Sequence, residues 1–408
     1  MTRAHAPQSA EIDEFRLQVR EWIAANRPAA PPFMLPQSFL EVETRDQFEY
    51  LRDWQRALYD AGYVGFDVPR EYGGQGVDPA RHAVVKGELG RAGAPFLVNR
   101  IALDWVAPTL LTYGSEAQKK RLLGPLLSAE EIWCQGFSEP GAGSDLASLQ
   151  ARAVKDPDGT GYRVSGHKVW TTLAHFSKWM ILLARTDSEA SKYAGLSYFL
   201  FPMDSPGITV EPLVKMTGEG GFNQVLFDDA PMPADSLLGA EGQGWKIAMT
   251  TLTFERGAAQ GGDGERSAGE AELFGRIVAL ARRTVRDGRT VAEDPLFCDR
   301  LAELWIELEA MRAGGRRAGV AGLCSDHPNA LSMMHKLLFS EWGQRVHQLA
   351  CEMLGPEAHL WLDDENAVDG AEWARGYMNS YGFTIGGGTS EIQRNIIGER
   401  VLGLPKSK

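Results

Sequence analysis

A helical region, then a β region, then a second helical region is the fold class this sequence predicts. Three observations carry it. Apolar residues recur at helical spacing up to about position 130. Between 131 and 240 the apolar runs become short and are separated by Pro, Gly and Asp clusters, as in strands of a compact β domain. From 241 to 408 the helical spacing returns. We therefore expect three domains, 1–130, 131–240 and 241–408, which suits a chain of 408 residues.

The elements follow in order. Ile12, Phe15, Val19, Trp22 and Ile23 share one helical face, which stops before Pro28. Thr44 and Gln47 form a capping box that opens a helix through Leu51, Trp54 and Leu58, with Gly62 as its stop. Ser115 and Gln118 repeat the box ahead of Leu122, Leu123 and Leu126. The runs 179–184 and 198–201 read as strands. Leu301, Leu304, Trp305 and Leu308 return to helical spacing, as do Leu337, Leu338, Trp342 and Val346. The glycine-rich patch 257–264 falls inside a helical pattern, where it either permits a close contact or weakens the helix.

Composition narrows the function. Hydrophobic residues make up 44% of the chain, enough for a core. The formal net charge of -12 and pI near 5.3 argue against nonspecific nucleic-acid binding. They leave room for an anionic ligand, which needs only a local basic patch. No apolar run reaches the roughly 20 residues that span a bilayer. Residues 1–11 lack the regions of a signal peptide, and the final Lys406-Ser407-Lys408 does not match the peroxisomal signal. The expectation is a cytoplasmic protein. Cys134, Cys298, Cys324 and Cys351 form no Cys-x-x-Cys pair, and no histidine pair has metal-ligand spacing. We expect reduced thiols, no metal, and a packing role for Cys134.

Two segments point to chemistry. The first, from Trp133 through Phe137, Ser138, Gly141, Gly143 and Ser144 to Asp145, reads as a strand entering a loop. Its glycines allow unusual backbone geometry and keep side chains out of a ligand's way, and its serines supply hydroxyls. The second, from Val164 to Thr172, reads as a tight turn at Ser165-Gly166 followed by a strand ending in Trp170, Thr171 and Thr172. An aromatic beside polar donors suits a flat, polar ring system. Either segment alone is an ordinary turn; their order and spacing carry the information.

Together they resemble the flavin-binding signatures of the acyl-CoA dehydrogenase family. Further landmarks fall in the family's order: 68–76 (Val-Pro-Arg-Glu-Tyr-Gly-Gly-Gln-Gly), 113–119 (Tyr-Gly-Ser-Glu-Ala-Gln-Lys), the stretch from Phe227 to Trp245, and 388–394 (Gly-Thr-Ser-Glu-Ile-Gln-Arg). The resemblance implies an N-terminal helical domain, a β-barrel-like middle domain and a C-terminal helical bundle, with FAD as cofactor. It implies flavin contacts from Phe137, Ser138, Gly143, Ser144, Trp170, Thr171, Thr172, Thr389 and Glu391. It places Ser144 also near coenzyme A.

Desaturation of an acyl thioester needs a carboxylate base in a dry pocket and an oxidant for the hydride. Many members carry the base just before the glycine of the C-terminal Gly-Thr signature, where this chain has Gly387. Others carry it on a C-terminal-domain helix before an arginine, where this chain has Glu255-Arg256. The resemblance therefore assigns Glu255 as base, with Gly387 leaving it room, and Arg256 to the substrate side. From spacing alone, Glu255 reads rather as a helix-surface carboxylate paired with a nearby arginine, and Arg256 reads equally as a structural ion-pair partner. Asp104, beside Trp105 where relatives line the acyl cavity, reads either as a contact for a polar or cyclic acyl group or as a helix-paired carboxylate.

The family's Arg-x-x-Phe-Gly segment is altered in the region 282–288, and Glu352 stands where the family has glutamine before its Gly-Gly pair. Flavin contacts across a subunit boundary are accordingly weakened. The resemblance implies a homo-oligomer, dimer or tetramer, and the departures open a heteromer with a related subunit. It implies an electron-transfer flavoprotein as acceptor. The rivals are an oxidase or biosynthetic flavoenzyme on the same scaffold and a non-catalytic subunit.

Overall fold

The computed structural model describes residues 6–255, 266–318, 320, 330–362 and 364–406. The chain divides into two compact units, 1–260 and 261–408. The first holds the N-terminal helices, the β domain and one helix beyond it.

Helix α1 (Ala6–Asn26) ends before Pro28, as its apolar spacing predicts, and packs on α3 (Pro79–Arg91) through Val19, Ile23, Val84 and Val85. Beneath this contact lies Glu88, 2% exposed, gripped by Arg20 at 2.9 and 3.1 Å. Helix α2 (Arg45–Asp60) carries the expected capping box: Thr44 accepts from the Gln47 amide, and the Gln47 side chain accepts from the Thr44 amide. Gly62 follows its end at φ 78°. A π-helical turn, Ala102–Val106, runs into α4 (Ala107–Tyr113), and α5 (Glu116–Leu127) opens on the Ser115–Gln118 box.

The β domain is one curled seven-stranded sheet. Its strands are β1 (Trp133–Gly136), β2 (Arg152–Lys155), β3 (Gly161–Thr172), β4 (Trp179–Arg185), β5 (Leu196–Pro202), β6 (Ile208–Leu213) and β7 (Phe222–Pro233). The order is β1-β4-β2-β3-β7-β6, with β5 also paired to β4. Residues 180–184 of β4 are buried throughout, as expected of a central strand covered on both faces. Cys134 is fully buried here, and burial pushes its thiol up to about 12, so it packs rather than reacts. Cys298 and Cys351 are also free thiols; Cys324 lies outside the described residues.

The sequence reading of Ser165-Gly166 as a tight turn is corrected. Both residues lie within β3, which bulges between Val164 and Gly166. A Cβ on Gly166 would fall 2.6 Å from the Ala151 side chain. The glycine therefore serves a close backbone approach inside a bulged strand.

Helix α6 (Gly244–Glu255) belongs to the first unit. Ile247 and Ala248 enter the same core as Leu110 and Tyr198, and the Thr251 hydroxyl meets that of Thr109 at 3.0 Å. The patch 257–264 lies outside the described residues.

The second unit contains α7 (Arg266–Arg283), α8 (Pro295–Ala318), α9 (Ala330–Leu354), α10 (Glu372–Ile385) and α11 (Ser390–Ile396). Its core gathers Ile277, Leu280, Leu304, Leu308, Trp342 and Val346. The Trp342 indole N–H donates to the Leu304 carbonyl at 2.9 Å. Trp305 and Leu338, which share the helical apolar spacing, are each 44% exposed.

Candidate functional site

The loop after β1 and the last turn of β3 come together although two strands separate them in the sheet order. The curl does this. The Val169 amide donates to the Ser138 carbonyl at 3.0 Å. Lys168, fully buried, donates to the Phe137 carbonyl at 3.0 Å and to Glu139 Oε1 at 2.8 Å. Glu139 also accepts from the Gln150 and Ala151 amides at 2.7 and 2.9 Å. Burial opposes both charges. For Glu139 the ammonium and the two amides outweigh that cost and hold its carboxyl below its ordinary value. For Lys168 burial prevails over Glu139 and brings the ammonium down to about 8.

From this fixed base the chain presents Trp170. Its backbone lies at φ 58°, in the left-handed region, beside a second register shift between Lys168 and Thr171. For a bulky residue such a conformation costs about 1–3 kcal/mol and survives only where the surroundings impose it. The indole is 60% exposed, its edge against Phe222. Thr171 and Thr172 turn inward, and the Thr171 hydroxyl is buried with no hydrogen-bond partner among the described residues. Gly141, Gly143 and Ser144 are exposed. A Cβ at either glycine would meet nothing within 4 Å, and neither has positive φ. The expectation of special backbone geometry at these two glycines is thus corrected; what they leave is open space. An exposed indole beside a bare loop fits a flat ring with a phosphate tail.

The sequence reading missed Gln135. It lies in β1, two residues before Phe137, and its Nε2 is buried without a partner among the described residues. The signal was present, a polar side chain inside an apolar strand.

Glu255 closes α6, one turn past Thr251. It is half-buried, with Oε2 enclosed. Below it the Tyr198 hydroxyl lies 3.1 Å from that of Thr251. Burial, and then the Glu255 charge, pushes the Tyr198 phenol well above its usual range, so it stays protonated. Arg256 lies outside the described residues. The Asp104 carboxylate accepts from Arg100 at 2.7 Å within the π-helical turn, the helix-paired arrangement.

In the second unit, Gly387 and Gly388 lie at φ 65° and 93°. Their carbonyls are held by Gln393 at 2.8 Å and Lys336 at 2.6 Å. Thr389 caps α11, accepting from the Ile392 amide, and Glu391 is exposed in its first turn. Elsewhere Arg283 pairs with Asp369 and Arg300 with Glu352.

The chain matches the acyl-CoA dehydrogenase N-terminal domain over residues 9–130, the middle domain over 134–230 and the C-terminal domain over 242–402. The chain belongs to the acyl-CoA dehydrogenase family. It is 40% identical over 403 residues to the acyl-CoA dehydrogenase IpdE1 of Mycobacterium tuberculosis, covering 97% of this chain and 98% of that one. Among solved structures, the Tcur3481-Tcur3483 steroid ACAD superposes with a TM-score of 0.79 at 29% identity, covering 98% of each chain. The ChsE4-ChsE5 complex of Mycobacterium tuberculosis gives 0.77 at 27%, covering both chains completely. The family is FAD-dependent and dehydrogenates acyl-CoA thioesters, and this chain is an enzyme of that kind. No helix among the described residues is long and apolar enough to cross a membrane.

Proposed function

We propose that this acyl-CoA dehydrogenase desaturates a ring-bearing acyl-CoA between its α and β carbons, giving the trans-2-enoyl thioester, with Glu255 as base. The observation that carries the assignment is the placement of Glu255. Its carboxylate ends a helix anchored by buried hydroxyls, with one oxygen enclosed, while the other family position holds a glycine in left-handed backbone. The acyl class rests on the likeness to a solved steroid enzyme of the same family.

Glu255 takes the α proton onto its carboxylate. FAD, when bound, accepts the hydride from the β carbon. Trp170 would flank the ring with Ser138 and Gly143 beside it, and the resemblance adds Phe137, Thr171 and Thr172, whose side chains are buried. Thr389 and Glu391 are the positions that the family resemblance assigns to the nucleotide. Ser144 serves both nucleotide and coenzyme A, and Arg256 supports the substrate side. Asp104, tied to Arg100, shapes the acyl wall rather than bonding the acyl group directly. An electron-transfer flavoprotein takes the electrons onward.

A heteromer with a related subunit is favoured over a homo-oligomer by one observation. The Glu352 carboxylate is taken up by Arg300 and Gln348, and its carbonyl by Arg286 at 2.9 Å. These are the segments that in the family reach a neighbour's flavin.

Anaerobic bleaching of the flavin by a panel of acyl-CoA thioesters tests the reading. Ring-bearing thioesters should bleach fastest. Equal or faster bleaching by straight-chain thioesters would remove the ring assignment. Peroxide release during aerobic turnover would replace the electron-transfer flavoprotein with oxygen.

A further inference from the structure

The Glu139–Lys168 pair lies outside the chemistry just described, yet it occupies the junction on which the flavin surface is built. Lys168 sits between two half-buried neighbours on β3, and its side chain points inward to complete burial. An interior lysine is rare unless paired. Here the pairing is complete on the acid side: Glu139 Oε1 accepts from Lys168 and the Ala151 amide, and Oε2 from the Gln150 amide. The same ammonium donates to the Phe137 carbonyl, so one cation ties the start of the loop, its acid and strand β3 into one body.

Its placement is informative. Sheet pairing does not bring β1 beside β3, because β4 and β2 lie between them. The register of β3 then breaks directly after Lys168, and Trp170 adopts its left-handed conformation two residues on. A strained residue holds its conformation only when its flanks are fixed. On one flank the fixing groups are the Lys168 ammonium and the Val169–Ser138 backbone bond of 3.0 Å.

We propose that Glu139 and Lys168 are positioning residues that set Ser138 against Trp170, and through them the grip of the chain on FAD. This deepens the reading above and rests on its FAD surface, not on Glu255. Neither residue is assigned contact with substrate or reacting atoms. Their role is to hold the loop in the one arrangement that presents the indole and the serine hydroxyl to the same ring.

The test uses the full chain in three forms: wild type, Glu139→Gln, and the double variant Glu139→Gln/Lys168→Met. The double variant removes both charges together, so no unpaired ion is left inside. Each is stripped of FAD, melted, and titrated with FAD while the visible flavin spectrum is recorded. The double variant should melt close to the wild-type apoprotein. It should nevertheless bind FAD about tenfold more weakly or worse, the loss usual when a group that orients direct ligands is removed. Its flavin bands should also shift, and Glu139→Gln should show the same binding loss. Wild-type affinity and spectrum in the double variant would overturn the proposal. So would a double variant that no longer folds without FAD, since the pair would then be a core element only. A wild-type chain that takes up no FAD would overturn the cofactor surface as well, which separates that failure from failure of the positioning role alone.

Discussion

Charge is used in opposite ways in the two units. In the first, at the loop after β1, a carboxylate and an ammonium are buried together and every oxygen of the acid is satisfied. In the second, at the segments where the family contacts a neighbour's flavin, the arginines and acids pair in partly exposed positions: Arg300 with Glu352, and Arg283 with Asp369. The first arrangement fixes the surface proposed to face FAD. The second consumes groups that a phosphate would otherwise use. Where the motif departs in the second unit, the polar groups bond to each other.

Breaking one partner of each pair tests the contrast. Lys168→Met alone leaves Glu139 charged and buried, which should cost about 3–5 kcal/mol of stability, measured by urea unfolding of the first-unit transition. A cost below about 1 kcal/mol would erase the distinction between the two regions. Gly387→Ala places a side chain in left-handed backbone at φ 65° and should cost about 1–2 kcal/mol. Arg300→Ala, by contrast, removes a pair whose side chains are 42% and 39% exposed, and should cost no more than about 1 kcal/mol.

Glu88 sharpens the same comparison by pH. Its hydrogen bond to Arg20 outweighs burial and, with the charges of Arg91, Arg20 and Arg16, holds its carboxyl below the ordinary 4.5. A depressed carboxylate contributes stability that is fully present above the unfolded value and is lost as pH falls through the folded one. The melting temperature should therefore drop as pH falls below about 4.5, and Glu88→Gln should remove part of that slope. An unchanged slope would mean that Glu88 contributes nothing to acid unfolding.

Much of this was legible in the sequence because it is local. The Thr44 and Ser115 capping boxes, the end of α1 before Pro28 and the strand runs depend on residues a few positions apart, and all are present. What escaped depends on distance in the chain. The Glu139–Lys168 pair exists only because the sheet curls. The bulge at Gly166 was mistaken for a turn because both demand glycine; here the demand comes from a φ of 151° together with the nearness of Ala151. The π-helical turn at 102–106 was read only as helix, because one inserted residue barely disturbs apolar spacing. At Gly141 and Gly143 the residues were singled out correctly, but the reason is space rather than backbone angle.

The most direct measurement is anaerobic single-turnover reduction of the FAD-loaded Glu255→Gln variant by the best acyl-CoA substrate. The account predicts normal flavin content and a bleaching rate lower by about 100-fold or more, the usual contribution of a general base. Bleaching at the wild-type rate would contradict it and send the search for the base elsewhere in the chain.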